Sequence, residues 1–171
     1  MGKQAVPCEA LLRVQHLLPR RGVALDLACG LGGNAVWLAR RGLQVYAVDW
    51  SQEAIDALRV AHAGPKLQCH HVDLHAFDWP VQTCDVVVVS RFLDRSLCAA
   101  MSASLAPGGY LVYQTFVGPY VGHGPRSPEY RLDAGELPGL FPGLTPVEYD
   151  PDGSVVPGYA LLISRKPLAK A

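Results

Sequence analysis

The sequence predicts an α/β fold: a Rossmann-like, doubly wound sheet of seven strands, mostly parallel, with an antiparallel C-terminal hairpin. Three observations lead to this prediction. Apolar runs of strand length alternate with helix-length periodic stretches over most of the chain. A glycine-rich turn follows the first run, and no helix-length stretch separates the last two. The 171 residues, half of them hydrophobic, suffice for one compact core, so we expect a single domain over residues 1–171.

The first part of the chain is predicted to form βα units. Four strands are expected, at residues 23–28, 43–48, 67–72 and 86–89. Three crossover helices are expected between and after them, at residues 34–41, 52–61 and 92–105. Ser51 suits the N-cap of the second helix, because its hydroxyl can accept a hydrogen bond from a free backbone amide. Residues 106–109, Ala-Pro-Gly-Gly, are expected to end the third helix.

The second part of the chain changes character. A fifth strand is predicted at residues 110–116, and residues 118–128 hold three Gly and three Pro, so we expect a loop there. Asp133 and Glu136 have the spacing of a capping box, which predicts a short helix through residue 140. The remaining strands, at residues 145–149 and 159–164, are expected to pair as the antiparallel hairpin.

Composition restricts the partners. Fifteen Lys plus Arg balance fifteen Asp plus Glu, so the broad positive field that captures nucleic acid is missing and a small-molecule partner is expected. The N-terminal residues lack a signal-peptide pattern and no segment has the length of a membrane span, so we expect a cytoplasmic protein without a membrane partner. Five widely spaced cysteines without a C-x-x-C pair indicate free thiols. The oligomeric state stays open.

A ligand-binding turn is predicted directly after the first strand. Gly30, Gly32 and Gly33 stand where the backbone must turn sharply and come close to a ligand. Asp49 ends the second strand about twenty residues beyond the first glycine, from where a carboxylate can accept both ribose hydroxyls of an adenosine. A purely structural tight turn with Asp49 as a helix cap is the alternative, and the combined spacing favours the ligand site.

The same turn fits two cofactors. Gly30, Gly32 and Ala35 satisfy the dinucleotide pattern G-x-G-x-x-G/A, so an NAD-dependent oxidoreductase is an alternative. Asp26, at the end of the first strand, disfavours it, because a carboxylate repels a pyrophosphate but stabilises a ligand ammonium group. The chain also leaves no room for a second mononucleotide half and shows no Tyr-x-x-x-Lys pair.

Five segments, in order, resemble motifs of class I S-adenosylmethionine-dependent methyltransferases. Residues 23–34 are similar to the first motif, 45–51 to the ribose-binding second, 71–74 to the adenine-binding third, 84–90 to the fourth and 105–111 to the strand-five motif. The resemblance implies S-adenosylmethionine as cofactor and methyl transfer as activity. It also implies a set of cofactor-binding residues: Asp26, Ala28, Gly30, Gly32, Asn34, Asp49, Trp50, Asp73, Leu74 and Ser90.

Residues 124–128 and 132–137 resemble the small bacterial group of tellurite-resistance and thiopurine-type methyltransferases. Members of that group carry a longer N-terminal segment that covers the cofactor, whereas about twenty residues precede the first strand here. The resemblance implies a small-molecule acceptor, either a thiol or a metalloid oxyanion. A non-catalytic S-adenosylmethionine-binding module remains the other alternative.

The acceptor is predicted to lie between residues 90–92 and the loop at residues 118–130, since ligands bind outside the carboxyl ends of the strands. The N-terminal segment at residues 6–18 is the alternative place for it. A soft nucleophile needs mainly positioning and desolvation, whereas an oxygen or nitrogen acceptor needs a base, for which His123 or His71 is the candidate. Arg91 either binds an anionic acceptor or pairs with Asp94 or Glu136.

A metal site is not predicted. Residues 69, 71 and 73 hold Cys, His and Asp on one strand face, but neighbours on one face lie too far apart to complete a tetrahedral site.

Overall fold

The computed structural model describes residues 5–62 and 64–169. Seven strands in this part of the chain form one sheet. The strand order is β3-β2-β1-β4-β5-β7-β6. Neighbours from β3 to β5 are parallel, and β7 is antiparallel to both β5 and β6. The predicted fold class, including the antiparallel hairpin, is confirmed.

The strands carry apolar runs and are β1 Val23–Leu27, β2 Gln44–Asp49, β3 Leu67–His71, β4 Cys84–Ser90, β5 Leu105–Phe116, β6 Thr145–Asp150 and β7 Tyr159–Arg165. The helices are α1 Glu9–Arg13, α2 Gly33–Arg41, α3 Gln52–Ala61 and α4 Cys98–Ser104, with 3₁₀ turns at Arg95–Leu97, Pro128–Tyr130 and Leu137–Leu140. α3 begins as predicted, because the Ser51 hydroxyl accepts a hydrogen bond from the Ala54 amide at 3.2 Å. Among the described residues, no helix has the length and apolarity needed to cross a membrane.

The core lies on both faces of the sheet. On one face, Leu11 of α1, Leu38 of α2 and Leu58 of α3 share a buried cluster with alternate side chains of the strands. On the other face, Met101 of α4 and Phe141 belong to the second buried cluster. Because both faces are covered, the central strands are apolar at nearly every position, as in β4.

The segment after β4 differs from the helix predicted at residues 92–105. A 3₁₀ turn and the shorter α4 take its place. Asp94 has an extended backbone and its carboxylate accepts a hydrogen bond from the Ser96 amide at 3.0 Å, so helical structure begins only after it. The Phe92 carbonyl accepts a hydrogen bond from the Tyr113 hydroxyl at 2.9 Å, which holds this residue against the sheet instead of in a helical turn.

β5 begins earlier than predicted, at Leu105 instead of residue 110. Leu105 pairs with Cys84, the register then shifts, and regular pairing resumes with Tyr110 opposite Val86. A Cβ atom at Gly109 would lie 2.8 Å from the Cys84 carbonyl oxygen, so the glycine permits the close approach that this bulge requires.

The predicted capping box is only half formed. The Glu136 carboxylate accepts a hydrogen bond from the Asp133 amide at 2.9 Å. The reciprocal contact comes from the Asp133 carbonyl, which accepts from the Glu136 amide at 3.2 Å, and not from its side chain. The helix predicted through residue 140 is accordingly one 3₁₀ turn.

Candidate active site

Two cavities open at the carboxyl ends of β1, β2 and β4, where the strand order reverses between β1 and β4. This is the place where open α/β sheets bind ligands. The first, which we call the adenosine cavity, has about 440 Å³ and is lined by Asp49, Trp50, Asp73 and Leu74, among others. The second, the turn cavity, has about 620 Å³ and is lined by residues 28–34 of the glycine turn, by Ser90, and by residues 5–9. The two share Ala28 and Arg91.

The glycines of the turn are there for different reasons. Gly30 has a positive φ of 52°, and a Cβ added there would meet no protein atom within 4 Å, so the space in front of it is open to a ligand. A Cβ at Gly32 would lie 2.4 Å from a methyl group of Leu58, and a Cβ at Gly33 would lie 2.3 Å from the Val6 carbonyl oxygen. Gly30 therefore faces open space, whereas at Gly32 and Gly33 a side chain would collide with the fold.

Asp49 lies at the end of β2, as predicted, with both carboxylate oxygens tied to the backbone. One oxygen accepts a hydrogen bond from the Gly30 amide at 2.7 Å and the other from the Ser51 amide at 2.8 Å. Each oxygen has a further lone pair, and the side chain lines the adenosine cavity. The carboxylate is thus fixed in place and able to accept two more hydrogen bonds, as two ribose hydroxyls require.

The other predicted adenosine residues lie around the same cavity. Trp50 is 79% exposed, which leaves its indole free to cover a ligand ring. Asp73 accepts a hydrogen bond from the His75 amide through one oxygen, at 2.9 Å, and Leu74 is buried in the cavity wall. The second oxygen of Asp73 can accept from a ligand amino group.

Asp26 lies beneath the turn and is completely buried. One oxygen accepts a hydrogen bond from the Ala35 amide at 2.9 Å, and the other has no hydrogen-bond partner within the described part of the chain. Burial raises the pKa of Asp26 to about 7; the nearby Asn34 side chain and the hydrogen bond from the Ala35 amide lower it in part, and the charge of Asp49 raises it further. Asp26 is not in the wall of either cavity, so its charge would act on a ligand through the turn.

The N-terminal segment, the alternative place for the acceptor, covers the turn. The Cys8 amide donates a hydrogen bond to the Asn34 side chain at 2.8 Å, and the Ala10 amide donates to the Gln114 side chain at 3.0 Å. The buried residues Leu11, Val14 and Leu18 lie three and four positions apart. This helical spacing is the sequence signal that could have revealed a segment packed on the sheet.

A hydrogen-bonded pair, absent from the sequence analysis, joins two walls of the adenosine cavity. His75 Nε2 lies 2.9 Å from a carboxylate oxygen of Asp94. Both residues line the cavity, His75 from the segment after β3 and Asp94 from the segment after β4. Partial burial raises the pKa of Asp94, but hydrogen bonds from Ser96 and His75 outweigh this effect and lower it overall.

The two histidines considered as bases both lie outside the turn cavity. His71 Nε2 lies 2.9 Å from the Trp50 carbonyl oxygen. The His123 ring packs against Phe116 and Tyr159, with ring centroids 6.0 Å apart in each case.

The loop at residues 118–130 is held against the end of the sheet by the buried guanidinium of Arg131. This guanidinium donates hydrogen bonds to the carbonyls of Val117, Gly118, His123 and Pro125. No residue of the loop belongs to the described lining of the turn cavity. The loop contacts the wall of that cavity through His123, whose ring packs against Tyr159.

Arg91 follows β4 with a positive φ of 57°, and its amide donates to the Gln114 carbonyl at 2.8 Å. Both predicted surface partners are engaged elsewhere, Asp94 with His75 and Glu136 with Arg95. Within the described residues, no group of three or more His, Cys, Asp or Glu side chains is placed to hold a metal ion.

These features fit S-adenosylmethionine. The open space at Gly30 and the fixed carboxylate of Asp49 suit a ligand with a ribose, and the buried acid Asp26 beneath the turn suits a cationic amino-acid part. The sheet order and this site together define the class of S-adenosylmethionine-dependent methyltransferases.

Comparison with known proteins identifies the family. The chain belongs to the methyltransferase-domain family, whose profile matches residues 24–109. It is 36% identical over 107 residues to ribosomal RNA small subunit methyltransferase C of Alcanivorax borkumensis, covering 56% of this chain and 33% of that protein. It is 33% identical over 119 residues to ubiquinone biosynthesis O-methyltransferase of Yersinia pestis, covering 61% of this chain and 48% of that protein. The chain thus spans a third to a half of the length of these curated relatives.

The fold is shared with TehB from Haemophilus influenzae, at a TM-score of 0.76 and 19% identity, covering 96% of this chain and 63% of that chain. Membership of the methyltransferase family decides against the NAD-dependent oxidoreductase. The cofactor of this class is S-adenosylmethionine.

Proposed function

We propose that the protein transfers the methyl group of S-adenosylmethionine to a small-molecule acceptor with a soft nucleophile, either a thiol or a metalloid oxyanion. The turn cavity carries this proposal. Its volume of about 620 Å³ is in the range of small-molecule sites, and it has to hold the amino-acid part of the cofactor as well as the acceptor. The fold shared with TehB and the C-terminal sequence resemblance to tellurite-resistance and thiopurine-type enzymes point in the same direction.

The residues around the two cavities have separate tasks in this proposal. Asp49 binds the ribose, Asp73 and Leu74 hold the adenine, and Trp50 covers it. Gly30, Asn34 and Ser90 surround the amino-acid part. Binding both ends of the cofactor fixes its sulfur where the two cavities meet, beside Ala28 and Arg91.

The proposed reaction needs no general base. When bound, S-adenosylmethionine supplies a methyl group on a sulfonium: the acceptor lone pair bonds to the methyl carbon while the carbon–sulfur electron pair returns to sulfur. A thiol that has already released its proton to water attacks as the thiolate, and a metalloid attacks through its lone pair, so neither loses a proton at that step. His71 and His123 lie outside the turn cavity and His75 is paired with Asp94, which favours this chemistry over a hydroxyl or amine acceptor that needs a free histidine base.

A nucleic-acid acceptor is disfavoured. The name of the Alcanivorax relative indicates ribosomal RNA. An RNA substrate would require a cluster of cations to neutralise phosphates, whereas this chain balances fifteen Lys plus Arg with fifteen Asp plus Glu.

The test is formation of S-adenosylhomocysteine from S-adenosylmethionine with single acceptors: 2-mercaptoethanol, 6-mercaptopurine, selenite and tellurite. We expect turnover with at least one of them, and loss of that turnover in Asp49→Ala. Binding of S-adenosylmethionine without turnover of any soft acceptor would overturn the proposal. It would favour the non-catalytic binding module or, with phenol acceptors active, an oxygen methyltransferase.

A further inference from the structure

Arg91 lies in the wall shared by the adenosine cavity and the turn cavity. The sulfur of S-adenosylmethionine joins the adenosine part to the amino-acid part, so the shared wall is the wall beside the sulfur. This placement rests on the function proposed above. Arg91 is therefore next to the position from which the methyl group leaves.

The guanidinium of Arg91 has no partner within residues 5–62 and 64–169. The two carboxylates predicted as its ion-pair partners are bound to other residues: Asp94 to His75 at 2.9 Å, and Glu136 to Arg95. Glu9 is exposed in the wall of the turn cavity and likewise forms no ion pair within these ranges. Arg91 is itself exposed, so an ion pair with one of these carboxylates would stabilise the fold only slightly, and its guanidinium is free to contact a ligand.

The backbone of Arg91 is in a conformation that most residues avoid. Its φ of 57° is in the left-handed region, and the amide is held there by the hydrogen bond to the Gln114 carbonyl. A glycine would adopt this conformation without penalty. Strained residues of this kind concentrate at ligand sites, where the backbone aims a particular side chain.

The charges around the cavities indicate which kind of ligand Arg91 would bind. Asp49, Asp73 and Asp94 line the adenosine cavity, and Arg91 is the one permanently charged cation in the described walls of both cavities. An anion entering here is repelled by the carboxylates unless it contacts Arg91. The unpaired guanidinium also repels the positive charge of the sulfonium, and an anion bound next to both would reduce this repulsion.

We infer that Arg91 binds an anionic oxygen group of the acceptor, such as a carboxylate, and so selects small anionic acceptors. The cofactor's own carboxylate is the competing partner. The two can be separated, because S-adenosylmethionine and S-adenosylhomocysteine carry the same carboxylate but only the first carries the sulfonium charge. Arg91 acting on the cofactor carboxylate must affect both ligands equally, whereas Arg91 acting beside the sulfur must affect them differently.

The experiment is calorimetric titration of both ligands into the parent, Arg91→Gln, Arg91→Lys and Glu9→Gln, at constant ionic strength. We expect Arg91→Gln to leave the affinity for S-adenosylhomocysteine within about twofold of the parent. The affinity for S-adenosylmethionine should improve by about threefold or more, because this is the effect of removing a like charge about 6 Å away in a water-like dielectric. Arg91→Lys keeps the charge and should retain the parental ratio. Arg91→Gly, free of the left-handed penalty, serves as a second loss-of-charge variant should Arg91→Gln fail to fold.

Acetate is the probe for the anion site, added in exchange for chloride. In the parent, acetate should bind the S-adenosylmethionine complex more tightly than the S-adenosylhomocysteine complex, and this binding should be lost in Arg91→Gln but not in Glu9→Gln. Equal weakening of both cofactors in Arg91→Gln, or acetate binding that survives in it, would overturn the inference. Failure of the parent to bind either cofactor would instead overturn the proposed function.

Discussion

Replacing Gly30 by alanine isolates the contribution of the glycine turn to cofactor binding. Gly30 has a φ of 52° and open space where a Cβ would stand, so Gly30→Ala adds left-handed strain and one methyl group directed into the turn cavity. Gly118 has a φ of 69° and equally open space, but it lies outside the lining of both cavities. Gly118→Ala is therefore a matched control, with the strain but without the methyl group in the cavity.

The two effects have different magnitudes and different readouts. Left-handed strain costs about 1 kcal/mol in either variant, which lowers Tm by about 2–4 °C in a chain of this size. The methyl group at Gly30 displaces the ligand from backbone contact, and we expect S-adenosylhomocysteine to bind at least about tenfold more weakly, or about 1.4 kcal/mol. In Gly118→Ala the affinity should equal that of the parent.

Thermal denaturation measures the loss of stability that the strain causes, and calorimetric titration measures the affinity for S-adenosylhomocysteine. The reasoning is refuted if Gly30→Ala and Gly118→Ala bind S-adenosylhomocysteine equally well, because the space at Gly30 would then not be where the cofactor approaches the backbone.

Three further predictions concern groups outside the turn. His75→Ala and Asp94→Ala should each weaken S-adenosylhomocysteine binding a few-fold, and the double variant no further, because the exposed pair joins two walls with a coupling of about 0.2–1 kcal/mol; additive losses in calorimetry would contradict this. The raised pKa of Asp26, about 7 against 3.8, means that the folded state keeps a proton which the unfolded state releases, so the unfolding free energy should fall as pH rises from about 4 to about 7, by up to about 1.4 kcal/mol per pH unit. Asp26→Asn should remove this contribution, and parallel urea-derived pH profiles of parent and variant would show that Asp26 does not carry it. Arg131→Ala should cost about 2–3 kcal/mol, since buried carbonyls lose their charged donor, while S-adenosylhomocysteine affinity stays unchanged; a loss of affinity would tie the loop to the cofactor.

Local sequence patterns predicted most of the fold. The alternation of apolar runs and helical stretches predicted the sheet, and Ser51 caps α3 as its residue type and position indicate. The helix after β4 starts later than predicted for two reasons. The first, the Asp94 cap, is local and visible in the sequence. The second, the hydrogen bond from the Tyr113 hydroxyl on β5, comes from a distant part of the chain. The bulge at Gly109 similarly depends on contact with a neighbouring strand.

The site was less predictable because its walls come from distant parts of the chain. Asp49 and Asp73 follow strands at spacings that a single sequence can reveal. The N-terminal cover depends on hydrogen bonds from Cys8 and Ala10 to side chains 26 and 104 residues away. The spacing of Leu11, Val14 and Leu18 indicates that this segment packs on the sheet, but no periodicity indicates these hydrogen-bonded pairs.

The most direct test of the cofactor site is calorimetric titration of S-adenosylhomocysteine into the parent, Asp49→Ala and Asp85→Ala. Asp85 is the matched control, because its carboxylate also accepts a backbone hydrogen bond, from the Val23 amide at 2.8 Å, but at the opposite end of β1. We predict one binding site in the parent, a loss of about a hundredfold in Asp49→Ala as two ribose hydroxyls lose their charged acceptor, and parental affinity in Asp85→Ala. Unchanged affinity in Asp49→Ala, or equal losses in the two variants, would contradict the assignment of this edge of the sheet as the S-adenosylmethionine site.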